Sequence, residues 1–124
     1  MQDETISPVG WYIGTYLLRF AETGKPKTLN PEARYIFWEN TRIVKAKSLS
    51  KAYDKLVKAA QREIKTYADG SEEDPVKWVF EGVVDLLPIY ESLEDGAEIM
   101  YREHTRTKLK NLRKLVRSKD ELCS

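Results

Sequence analysis

The chain has one cysteine, Cys123, and one histidine, His104, and its Lys+Arg 21 nearly cancel Asp+Glu 20. A lone cysteine excludes an intrachain disulfide and any cysteine-based metal cluster, and a reducing cytoplasm is the expected setting. No stretch approaches the roughly 20 apolar residues that a membrane-spanning helix needs. The N-terminus, MQDETISPVG, is polar and acidic where a secretory signal would be basic and then apolar, so the chain is expected to be intracellular with no membrane partner. A net charge of +1 provides no global pull on nucleic acid, which leaves only a local patch to do so. A Gly-rich phosphate loop and metal-ligand spacing are both missing. With one histidine, one near-terminal cysteine and neither of these motifs, the expectation is a chain that is not an enzyme and needs no cofactor.

What is present is a folding composition. The 124 residues are 41% hydrophobic and 33% charged, with Trp 3 and Tyr 7, too apolar and aromatic for a disordered chain. A chain of this length fits one domain that buries roughly two-thirds of its unfolded surface. Residues 1–124 are read as a single domain, a compact body over about 11–103 and a basic C-terminal helix over about 104–119.

Residues 11–20 (WYIGTYLLRF) are too densely apolar for a one-sided helix and predict a strand with both faces covered. Residues 21–32 carry Gly24, Pro26, Asn30 and Pro31, the punctuation of a loop. Residues 33–47 resume β-type composition with mixed faces near the middle, which suggests a bulge or twist there. From Ser48 the period changes. Leu49, Ala52, Tyr53, Leu56, Ala60, Ile64 and Tyr67 recur three or four apart and predict an amphipathic helix over 49–67, capped by Ser48 and stopped by Gly70.

After an acidic loop at 69–75, residues 76–87 predict a strand ended by Pro88. Asp95-Gly96 supplies the positive φ of a reversal. Residues 97–103 (AEIMYRE) alternate as a half-solvated edge strand would. Residues 104–119 are helical by period, with Leu109, Leu112, Leu115 and Val116 on one stripe and Arg106, Lys110, Arg113, Lys114 and Arg117 on the opposite arc. The predicted fold class is α+β: a mostly antiparallel sheet of about four strands in the order β-β-α-β-β-α, with one helix packed on a sheet face and a basic C-terminal helix.

Trp11-Tyr12, Glu39, the run Val44-Lys45-Ala46-Lys47-Ser48 leading to Ala52, Trp78-x-Phe80-x-Gly82-Val83-x-Asp85-Leu86 and Leu93-x-Asp95-Gly96-x-Glu98 together resemble a bacterial family of uncharacterised small proteins, domain of unknown function 4288. The resemblance covers roughly residues 11–103. The family's pattern has an acidic residue three after the capping serine, where this chain has Lys51. The resemblance implies a fold and a bacterial, cytosolic setting, with no activity to carry over.

Several residues invite a chemical reading beside a structural one. Glu81 and Asp85 share a strand face and Glu98 on the next strand could join them around a divalent cation; the structural reading pairs them with Lys and Arg neighbours. His104 is read as starting a helix and Cys123 as a surface thiol. Trp11, Trp38 and Trp78 are read as core. The functional expectation is a protein-interaction or regulatory module in the bacterial cytoplasm, acting through an exposed sheet edge near 97–103 and the C-terminal helix. A protein partner is expected and a homo-oligomer is left open. The alternative is nucleic-acid binding by Arg106, Lys110, Arg113, Lys114 and Arg117, five like charges able to contact successive phosphates.

Overall fold

The computed structural model describes residues 3–21, 30–68 and 77–123, and side chains of 66–68 are outside the description. It contains strands β1 (Trp11–Ala21), β2 (Phe37–Lys45) and β3 (Lys77–Pro88), helix α1 (Leu49–Ala68) between β2 and β3, and two five-residue helices, α2 (Leu109–Arg113) and α3 (Lys119–Cys123). The strands form one antiparallel sheet in the order β2-β1-β3. The α+β class stands, but the four-stranded sheet in the order β-β-α-β-β-α does not: the described elements up to β3 run β-β-α-β.

β1 is central because it is the strand that can be buried on both sides. Residues 12–16 are all buried, five in succession. Its even-numbered side chains, Tyr12, Tyr16 and Leu18, join Val44, Trp78 and the helix residues Ala52, Leu56 and Ala60 in the core. Each fully buried aliphatic side chain there stabilises by about 1.5–3 kcal/mol. Gly14 lets the helix approach closely: a Cβ at that position would lie 2.4 Å from Leu56 Cδ2 and 3.2 Å from Leu86 Cδ1. α1 begins where the sequence predicts. The Ser48 hydroxyl accepts from the Lys51 amide at 3.2 Å, a side-chain cap, and the Ser48 carbonyl accepts from Ala52 at 2.9 Å. Tyr53, assigned by period to the apolar stripe, is 46% exposed instead. The expected stop at Gly70 lies outside the described residues.

The expected bulge in the second strand is absent. β1 and β2 pair without a shift from Trp11↔Lys45 to Arg19↔Phe37. The irregularities fall in β3, where Thr15↔Asp85 is followed by Tyr16↔Val83, and Leu17↔Gly82 by Leu18↔Phe80. Val84 and Glu81 are therefore the extra residues of two bulges. Glu81 uses its position to meet Arg19 Nε at 2.7 Å.

The chain does reverse at Gly96, whose φ is +86, with Ala97 N–H bonded to the Glu94 carbonyl at 3.0 Å. Residues 97–103 then run back without joining the ladder, so the predicted fourth strand and its exposed edge do not form. The predicted helix over 104–119 is likewise broken into an irregular start, α2 and a link to α3. Two local causes act together. Arg106/Lys110, Lys110/Lys114 and Arg113/Arg117 are like-charge pairs four apart, which oppose a continuous helix. Ser118 starts a new helix of its own: its hydroxyl accepts from the Glu121 amide at 3.2 Å, and Glu121 Oε1 lies 3.3 Å from that hydroxyl.

Candidate functional site

β2 is an outer strand of the sheet, and its parity decides which main-chain groups are free for another strand. Phe20 N–H donates to the Ile36 carbonyl at 2.8 Å and Ala46 N–H to the Gly10 carbonyl at 3.0 Å, one at each end of an unshifted ladder. Even-numbered residues of β2 therefore turn their N–H and C=O groups toward β1, and Phe37, Glu39, Thr41 and Ile43 turn theirs outward. One end of this row is closed: the Lys45 carbonyl accepts from Lys55 Nζ at 2.5 Å.

The side chains along this edge are apolar and wet. Ile36 is 63% exposed, Phe37 58% and Ile43 45%. Trp38 is also exposed, but its ring stacks on Trp78 with centroids 4.2 Å apart and planes inclined at 32°. Of the three tryptophans expected in the core, only Trp78 is fully in it; Trp11 lies half-buried with Lys45 Nζ 5.9 Å from its ring.

On the helix-facing side, β2 is tied down by a polar network. Glu63 of α1 accepts from the Tyr16 hydroxyl at 2.5 Å and from Asn40 Nδ2 at 3.1 Å, and Arg42 reaches both Tyr16 Oη, at 2.7 Å, and Glu63, at 3.3 Å. Burial pushes the Tyr16 phenol above its ordinary value and the bond to Glu63 adds to this. Burial also acts to raise the Glu63 carboxyl, but the bonds from Tyr16, Arg42 and Asn40 outweigh it and hold Glu63 below the usual carboxylate range. The bond to Tyr16 is the main influence raising Arg42, against the opposing effect of burial. Across the sheet, the Thr15 and Thr41 hydroxyls lie 2.8 Å apart. β2 is thus held from its helix-facing side, and among the described residues no strand pairs with its outer edge.

The three carboxylates considered for a cation are each engaged or remote. Glu81 pairs with Arg19, Asp85 lies 3.7 Å from Arg102, and Glu98 sits on the returning segment beside a cleft of about 170 Å³ lined by Leu87, Tyr90, Ile99 and Met100. Among the described residues, no group of three or more His, Cys, Asp or Glu side chains is arranged to hold a metal ion. His104 and Cys123 are exposed.

The five basic residues singled out from sequence are all exposed but do not form one arc. Arg106 lies before α2 with φ +44, Lys110 and Arg113 are in α2, Lys114 is its C-cap and Arg117 lies in the link to α3. Leu109, Leu112, Leu115 and Val116 are exposed as well. Sequence reasoning placed the open edge at 97–103 and missed the one on β2. The mixed faces at 37–43 carried a partial signal, since an outer strand packs less of its length on the core: Val44 is its one buried residue, while Asn40 and Arg42 meet the helix through Glu63.

Among the described residues, no helix is long and apolar enough to cross a membrane. The sequence profile of the domain of unknown function 4288 (DUF4288) matches residues 11–101, and the chain belongs to that family. No curated protein and no solved structure matches it.

Proposed function

We propose that this member of the DUF4288 family is a protein-interaction module, acting by binding and not by catalysis in a reducing cytoplasm, that takes up an extended segment on the outer edge of β2. The observation that carries the reading is the row of outward main-chain groups at Phe37, Glu39, Thr41 and Ile43, flanked by the exposed side chains of Ile36, Phe37 and Ile43. Strand addition draws affinity from main-chain hydrogen bonds and selectivity from alternate side chains, and this edge offers both. A long apolar edge left open is a liability that proteins ordinarily blunt with charge, proline or cover. Here Glu39 is the one charge among the four residues whose main-chain groups turn outward, and Arg42, the other charge of the span, is tied to Tyr16 and Glu63.

Glu39→Pro is the informative variant. Its N–H points away from β1, so proline removes a donor to the partner without removing a bond of the β1–β2 ladder. Tagged chain is used to capture partners from its host lysate with and without nuclease. Protein that survives nuclease and is lost with Glu39→Pro supports the reading. Material retained by Glu39→Pro, or lost on digestion, overturns it, the latter in favour of the basic residues 106–117.

A further inference from the structure

We propose that the occupant of the β2 edge is a second copy of the chain, related by a two-fold axis through Asn40, so that two three-stranded sheets become one of six strands. The proposal rests on the reading of β2 as a docking edge and names its partner.

The argument is one of self-complementarity. A symmetric antiparallel pairing must oppose outward residues with outward residues, which leaves a short series of registers to compare. An axis at Glu39 puts the two Glu39 side chains opposite each other, and an axis at Arg42 does the same to the two arginines; like charges directly opposed are destabilising. An axis at Thr41 places Glu39 against Ile43 and Phe37 against Lys45, mismatching both outer-face pairs beside the central one, although Trp38 then meets Val44 on the other face. An axis at Asn40 opposes Phe37 with Ile43 of the second copy and Glu39 with its Thr41, while on the helix-facing side Trp38 meets Arg42 and the two Asn40 residues meet each other. That register matches apolar with apolar on one face, sets a guanidinium beside an indole on the other, and opposes no like charges.

The surroundings permit the approach. α1 packs mainly over β3, and among the described residues the hydrogen bonds and ion pair it makes to β2 include those of Glu63 to Asn40 and Arg42 on the helix-facing side and of Lys55 to the Lys45 carbonyl at the strand's end. The closed end at Lys45 falls outside the span from Phe37 to Ile43 that the register uses. The network joining Arg42, Tyr16, Asn40 and Glu63 holds the strand in its paired shape before association, which lowers the ordering cost of binding.

The test combines mass and register on the full-length chain. Sedimentation equilibrium over a range of concentrations is expected to show twice the mass of one chain. Phe37→Lys is expected to weaken self-association by about tenfold or more, since both symmetric Phe37–Ile43 pairs are lost. In a Cys123→Ser background, Asn40→Cys is expected to form an intersubunit disulfide under mild oxidation, because the opposed Cα atoms of a non-hydrogen-bonded pair lie about 4.5 Å apart, within disulfide reach. Thr41→Cys is expected not to cross-link. Circular dichroism checks that each variant is folded, and the exposed Phe37→Lys decides the matter if Glu39→Pro does not fold. A monomer at every concentration, a dimer unaffected by Phe37→Lys, or cross-linking at 41 in place of 40 overturns the proposal. If the chain is monomeric yet capture of another protein is still lost with Glu39→Pro, the docking edge stands and only its occupant is wrong.

Discussion

Glu63 accepts from Tyr16, Asn40 and Arg42 at the seam between α1 and the sheet, and its side chain is only 11% exposed. Removing its charge leaves the buried Tyr16 phenol and the exposed Arg42 guanidinium with a poorer partner, so Glu63→Gln is expected to cost about 1–3 kcal/mol at neutral pH. The sign of the pH dependence follows from the lowered carboxyl. The folded state binds a proton at Glu63 less readily than the unfolded chain, whose carboxyl has the ordinary glutamate value of about 4.5. The stability it supplies is fully present above that value and is lost as pH falls through the lower folded value. Urea midpoints measured downward from pH 7 should therefore fall more steeply below the ordinary carboxylate range for the parent chain than for Glu63→Gln. Equal slopes for the two would show that the network contributes nothing to acid sensitivity. Glu63 stands three residues past buried Ala60 and so on the sheet-facing side of the helix, but nothing in the sequence names the strand partners that would hold a carboxylate there.

At the scale of elements, β1, β2, α1 and β3 were legible because each carries its own signal: dense apolar runs for the central strand, a clean period of three and four for the helix, and a serine that caps it. The rest was not legible, since alternation and helical period report only which residues would share a face. AEIMYRE alternates over most of its length, yet a strand also requires a neighbour's ladder, and the turn at Gly96 returns the chain without offering one. The leucines after 108 are spaced for a stripe, but helical stability comes mostly from packing such a stripe, and a five-residue helix cannot sustain itself otherwise. Leu115 is 71% and Val116 75% exposed. Replacing both with Gln is expected to shift stability by less than about 0.5 kcal/mol, as for surface positions that pack on nothing. Chemical denaturation of the double variant checks this. A loss of several kcal/mol would mean that these side chains are buried in solution and that the tail docks.

For the whole molecule, the proposed pairing of two β2 edges would make folding and association one equilibrium. A partner that binds only the folded chain stabilises it by mass action, and when the partner is another copy the midpoint of unfolding depends on protein concentration. The apparent Tm of the parent chain is accordingly expected to rise as concentration is raised, by calorimetry or by ellipticity. That of Phe37→Lys should stay nearly constant over the same range, because its exposed position leaves the three-stranded core intact while placing an ammonium against Ile43 of the second copy. The two curves should converge at high dilution, where association no longer contributes and only the common fold is measured. A Phe37→Lys curve that lies below the parent at every dilution by a fixed amount would instead place Phe37 in the stability of the single chain, a role its exposure argues against.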